Sequence, residues 1–232
     1  MTMSAETPAI PGLGWTSQQL GGALGILGVV LFIAGIFVQG ESPSLSDSPE
    51  EIRAWFVDNG QQYLIGDFII SIGIVFGLVP FFVTLSRVLG RLEGDSSFWP
   101  QLVLLGGFLF VVAGAAASTF TGALAVGADQ IADDSAVMAL MNGSFYGFSA
   151  PGFVLALFFF STAMSILRTH AFATWVAWLC LLLTVVGVLS GLAAIEDSQE
   201  DGIFSFLGLI TIIGLGIVML ALGFSLMTKK SA

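Results

Sequence analysis

The chain has 232 residues, 56% of them hydrophobic and 9% charged, with a net charge of −10. Soluble domains carry roughly a quarter charged residues, so a water-soluble globule is excluded. The acidic balance argues against nucleic acid as a partner, and one cysteine (Cys180) with one histidine (His170) excludes an intramolecular disulfide, a CxxC site and metal or haem ligation by paired His or Cys.

In chain order, residues 1–17 are polar and contain Pro and Gly, with Trp15 at the edge of the first apolar run. They read as an unstructured tail with a Trp anchored at the membrane interface, and no cleaved signal is expected. Six apolar runs follow, near 18–39, 62–86, 99–127, 137–167, 172–194 and 203–228. Each is long enough to cross a hydrocarbon layer of roughly 30 Å as a helix and too long for a barrel strand. The fold expected is therefore an all-α integral membrane protein. It is a single six-helix domain over 18–228, built as three antiparallel hairpins because the connections are short, and residues 229–232 form a C-terminal tail.

The first connection is the longest. Ser48-Pro49-Glu50-Glu51 has the form of a capping box with Pro at the first helical position. Ile52, Trp55 and Phe56 then fall on one face, predicting a short amphipathic helix near 49–58 that lies on the membrane surface or caps the bundle and ends at Asn59-Gly60. The second connection turns at Gly94-Asp95. In the third, Asp134 or Ser135 is placed to cap the fourth helix. The fourth, RTHAF, allows only a tight turn, and the fifth, EDSQEDG, is acidic.

The charges are partitioned among these connections. The first, third and fifth hold 12 of the 16 carboxylates and one cation, Arg53, whereas Arg87, Arg91, Arg168, Lys229 and Lys230 lie in the even connections and the C-terminal tail. Because Lys and Arg are retained on the cytoplasmic side, both termini and the even connections are expected there, and the protein in the plasma membrane. The acidic outer face is a candidate site for attracting a cation.

Asp67 is the one ionisable residue well inside a span, and no Lys, Arg or His lies in any span to pair with it. Intramembrane carboxylates face the protein interior and mark ion, proton or ligand sites, or else stabilise packing through hydrogen bonds. Ser71 lies one turn further along the same helix. Ser118, Thr119 and Thr121 in the third span, the stripe Asn142, Tyr146 and Ser149 in the fourth, and Ser190 and Ser205 lie at matching depth and would complete a polar pocket. Pro80 and Pro151-Gly152 sit within helices, where a missing N–H produces a kink that serves as a gate hinge or simply as packing. Glycine pairs at small-xxx-small spacing (Gly21/Gly25, Gly73/Gly77, Gly143/Gly147) let helices pack closely within the bundle or between copies.

Several enzyme classes fail on residue inventory. Gly147-Phe148-Ser149-Ala150 is similar to the nucleophile motif of rhomboid proteases, but His170 lies in the opposite-side turn and cannot activate Ser149. Aspartyl proteolysis needs two carboxylates. No phosphate-binding glycine motif is present and no cofactor is implied.

The stretch SPEEIRAWFVDNGQQYLIGDFIISIGIVFGLVPFFVTLSRVLGRLEG and the turn ILRTHAFATWVAWLCLLLTVVGVLSG resemble bacterial six-span proteins common in actinobacteria, near the family of unknown function DUF4386. The resemblance implies a fold and no activity. The function expected is that of a non-enzymatic accessory, sensory or interaction protein whose partners are the lipid bilayer and another membrane protein or a second copy. The alternative is a small transporter or channel with an outward-facing polar site at Asp67, and a lipid-modifying enzyme stands third without a motif.

Overall fold

A computed structural model describes residues 15–94, 98–149, 151–195 and 202–228. The expected N-terminal tail, the acidic fifth connection, Asp95 and the two C-terminal lysines lie largely or wholly outside these residues. Six helical segments of the described chain are long and apolar enough to cross a membrane, and the described residues contain no strand. The fold is an all-α six-helix bundle.

The first span, α1 (Ser17–Gln39), opens with a capping box: Gln19 N–H donates to Thr16 Oγ1 at 3.2 Å and Thr16 N–H to Gln19 Oε1 at 3.0 Å. It ends at Gly40, whose φ of 73° is the left-handed conformation that glycine adopts without penalty.

A helix begins at the Ser48/Glu51 box as expected, but it is α2 (Pro49–Ile72), which runs on without a break into the second span. The amphipathic turns near 49–58 are present, but they do not end at Asn59-Gly60. The helix runs on through both residues; the Asn59 side-chain amide donates to Trp55 O at 3.0 Å, and Gly60 packs directly on Ala125 O. Ile52 and Phe56 are buried among Tyr63, Leu124, Val137 and Met141, so this segment is anchored in the bundle instead of lying on a surface.

After α2 the helix widens into a π-turn, Gly73–Leu78, in which Val79 N–H reaches back five residues to Ile74 O, and it continues as α3 (Val79–Glu93). Pro80 supplies the reason. It has no N–H for the carbonyl four residues back, and an extra residue in the preceding turn accommodates that loss without breaking the span.

The third span is α4 (Phe98–Gly127). The fourth consists of two helices, α5 (Asp134–Ser149) and α6 (Pro151–Thr169). The structure places the cap of α5 at Asp133 and not at Asp134 or Ser135: Asp133 Oδ1 accepts from Ser135 N–H at 2.9 Å and from Ser135 Oγ at 2.7 Å. The tight turn before α7 (Thr174–Ser190) uses His170 at φ 51°, a residue that tolerates the left-handed region better than most. A 3₁₀ turn (Gly191–Ile195) follows α7, and α8 (Ile203–Thr228) closes the bundle.

Successive spans pack as neighbours, and α8 returns to α1. That closure is polar at one end, where Gln18 and Gln19 side-chain amides each donate at 3.3 Å to the carbonyls of Leu226 and Met227. The main core runs through the middle: Phe81, Phe82, Leu85 and Leu89 of α3 interlock with Phe158, Phe159 and Ile166 of α6 and with Leu222 and Leu226 of α8. Phe82 and Phe158 meet edge to face at 5.2 Å. Apolar burial gives little net drive between helices already in lipid, so close contact must hold the bundle. Gly77 meets that demand, because a Cβ there would lie 2.8 Å from Gly28 N and 2.9 Å from Leu24 O.

Below, the end of the bundle with the first, third and fifth connections is called the odd end, and the other the even end.

Candidate functional site

Asp67 lies on the seam between α2 and α4, which carries a short polar ladder. Tyr63 OH donates to Thr121 Oγ1 at 2.9 Å, and Thr121 Oγ1 is also 3.4 Å from Ser118 O. One turn along α2, the Ser118 hydroxyl donates to the Asp67 carboxylate. The two rungs differ in burial. Tyr63 is 6% and Thr121 7% exposed, whereas Asp67 and Ser118 are half-buried.

The neighbours of the second rung show which way it faces. On α2, Ser71 and Phe68 are exposed, and on α4, Ala115 and Thr119 are exposed. Gly114 and Gly122, one turn to either side of Ser118, have nothing within 4 Å of where a Cβ would sit. The residues on the other side of α4, Ala117 and Leu124, are fully buried. The Asp67–Ser118 pair therefore occupies the outer lip of the seam and opens to the periphery of the bundle.

The pocket expected from sequence is not assembled as a unit. Ser118 joins Asp67, and Thr121 joins it through Tyr63. Ser71 and Thr119 flank the pair but are exposed, and Thr119 Oγ1 donates at 2.9 Å to Ala115 O in its own helix. The α5 stripe lies around the other side of α4, because Gly147 packs on Ala117 and Gly143 on Phe120. Asn142 there donates to Met138 O at 2.9 Å, and Tyr146 stacks edge to face on Phe145 at 5.7 Å. The side chains of Ser149, Pro151 and Ser205 lie outside the described residues. Gly152 packs backbone to backbone on Gly187 of α7, beside Ser190, whose Oγ donates to Gly187 O at 2.8 Å; all three are structural contacts of α6 with α7. Pro80 O accepts from Thr84 Oγ1 at 2.8 Å.

Sequence reasoning missed two features. Tyr63 stands four residues before Asp67, on the same helical face, and that spacing was the available signal. The other is a cavity of about 260 Å³ between α1 and α8, lined by Val29, Phe32, Leu78, Phe110, Leu215 and Met219 among others, all apolar. Asp67 and its partners are not among its lining residues, and nothing in the sequence marks it, because its residues look like any other span.

Among the described residues no group of three or more His, Cys, Asp or Glu is placed to hold a metal ion. The fold defines a multi-pass helical membrane protein whose surroundings are the lipid bilayer. No protein-family model matches the chain, and neither does any curated protein or solved structure.

Proposed function

We propose that this is a non-enzymatic accessory protein of the plasma membrane that docks a helix of another membrane protein along the α2–α4 seam, with Asp67 as the polar anchor. Both termini are on the cytoplasmic side in this reading, supported by the confinement of five of six cations to the even connections and the C-terminal tail. The seam then lies in the outer half of the bilayer.

One observation carries the reading: a carboxylate inside a span, bonded to Ser118 among the described residues, faces the periphery beside the unfilled Gly114 and Gly122. A charge at the centre of a bilayer costs about 2.5–3.5 kcal/mol even on the more lenient insertion scales, and such groups are retained where something pairs with them. Small residues beside it allow a helix backbone to approach closely. No Lys, Arg or His lies within the apolar runs 18–39, 62–86, 99–127, 137–167, 172–194 and 203–228, the arginines of the second and fourth spans lying at the helix ends outside those runs, so a second copy brings no opposite charge at this depth. The occupant that fits is a transmembrane helix of a different protein carrying a Lys, Arg or other donor at this depth.

The test combines crosslinking with flux. A photo-crosslinking residue at Thr119 in native membranes should trap one defined membrane protein, and Asp67→Asn and Gly122→Leu should each abolish that adduct in folded protein. A crosslinker at exposed Phe37 on α1 should not trap it. An adduct only with a second copy, or none, overturns the docking reading. Ion or proton flux in liposomes containing this chain alone, abolished by Asp67→Asn, would replace it with the transport reading.

A further inference from the structure

A second carboxylate, at the even end, is in a different state. Glu93 is the last residue of α3, and its side chain turns into the seam with α6. Ser165, fully buried, donates to Glu93 Oε1 at 2.9 Å. Glu93 Oε2 is buried as well, and among the described residues no donor meets it. One turn earlier on α6, Thr162 is 0% exposed and its Oγ1 also has no partner.

The lone Thr162 hydroxyl is an exception in this protein. Thr84, Thr169, Thr184, Thr211 and Ser225 all return a bond of 2.6–2.9 Å to the carbonyl four residues back. The corresponding carbonyl for Thr162, Phe158 O, lies 3.2 Å from Ser161 Oγ, whose shorter bond of 2.7 Å runs to Leu157 O, and Thr162 Oγ1 makes no bond to it. Two buried oxygens thus lack partners: Glu93 Oε2, on the carboxylate that Ser165 bonds, and Thr162 Oγ1, three residues before Ser165 on α6. Arg87, Arg91 and Arg168 are all exposed at this end, and none of them donates to Oε2.

Glu93 is half-buried, but its Oε2 is enclosed with no hydrogen-bond partner, and an enclosed carboxylate oxygen left unmatched is costly. We propose that Glu93, Ser165 and Thr162 form a binding site for a monovalent metal cation between α3 and α6. The donor set is oxygen only, which suits hard cations and not Zn²⁺ or Cu²⁺. One carboxylate neutralises one positive charge, whereas a divalent ion would leave a net charge buried. Thr162 and Ser165 are three residues apart, about 4.5 Å of helical rise. A larger hard cation with metal–oxygen bonds near 2.4 Å spans roughly that separation. The site would tie the end of α3 to α6, and it is independent of Asp67.

Thermal unfolding of the full chain in nanodiscs tests this, with choline chloride replaced by NaCl or KCl at constant ionic strength. Wild type should gain stability with Na⁺ or K⁺ in a saturable manner. Glu93→Gln, which keeps the shape and removes the charge, should abolish the cation-dependent gain. Thr162→Val removes one of the oxygen ligands and should weaken cation affinity by about tenfold or more, since disturbing even a supporting group costs about that much. Asp67→Asn should retain the full response. Identical unfolding of wild type in choline, Na⁺ and K⁺ overturns the site, as does a cation response that persists in Thr162→Val unchanged. Should Glu93→Gln fail to fold, the near-isosteric Thr162→Val alone decides.

Discussion

The two ends of the bundle are held by different means. Towards the even end α1, α3 and α8 touch through backbone, with Gly22 against Gly223 O and Gly25 against the Phe81 ring, and the phenylalanines of α3 and α6 fill the centre. Towards the odd end a separate cluster does the work. Trp55, Phe56 and Tyr63 stack edge to face at 5.0–6.2 Å over Leu124, Val137 and Met141. An Arg53–Asp134 ion pair, a 2.9 Å bond from Arg53 Nε to Ile131 O and the Tyr63–Thr121 bond complete it. Glycine contacts that leave no room for an added atom close the even end, whereas the odd end, which has one such contact in Gly60 on Ala125 O, adds a clamp of side chains that can be trimmed one at a time. The first mode suits a permanent scaffold, and the second leaves room for a partner.

The sharpest way to break the comparison is to add volume. Gly77→Leu forces a side chain into the α1 backbone and should abolish folded protein in detergent, because neither Gly28 nor Leu24 O can move aside. Gly114→Leu on the open side of α4 meets nothing and should fold as wild type, which size-exclusion chromatography of the two variants checks. Phe56→Ala comes next. It removes the centre of the odd-end cluster and should cost about 3–4 kcal/mol in reversible unfolding, with increased hydrogen exchange confined to the first turns of α2 and to α5. Loss spread evenly over both ends would show that the two clusters are one cooperative unit.

The sequence disclosed the spans, the Ser48 cap and the glycine pairs because these depend on composition or on residues three or four apart. It did not disclose rotation. Asp67, Ser118 and Asn142 lie at matching depth, yet only two meet, since the facing of α5 on α4 is set by Gly143 and Gly147 against Phe120 and Ala117. The π-turn was visible only as Pro80, because nothing local specifies which preceding turn will widen. Glu93 reads as a loop charge at a span's end, and only the bond from the Ser165 hydroxyl across the seam reveals that its side chain turns inward. The helix end at Asn59-Gly60 was misread for the same reason. A turn signal in sequence is overridden when the glycine is needed for close contact with Ala125.

Smaller changes sharpen the clamp. A double-mutant cycle of Tyr63→Phe and Thr121→Val should give a coupling of about 0.6 kcal/mol, and no more than about 1.7, the range for hydrogen bonds between membrane helices. Arg53→Met should cost under about 1 kcal/mol and lose its effect in high salt, because Asp134 is 51% exposed. A larger, salt-independent cost would assign the stabilisation to the Ile131 carbonyl bond instead.

The smallest effect is a proton-linked one at the start of α5. Hydrogen bonds from the Ser135 hydroxyl and then the Ser135 N–H hold the Asp133 carboxyl below its ordinary 3.8. A carboxylate with a lower value in the folded state adds stability above the unfolded value, and that stability is lost as pH falls through the folded one. The first turn of α5 should therefore hold at pH 5 and loosen below about pH 4, seen as faster amide exchange at Ser135 and Ala136 after correction for the intrinsic rate. Asp133→Asn keeps an acceptor that does not titrate in this range, so its corrected exchange should be flat with pH. A variant as pH-sensitive as wild type would place the titrating group elsewhere among the acidic residues of the odd end, and the cap would then be a geometric device without a charge component.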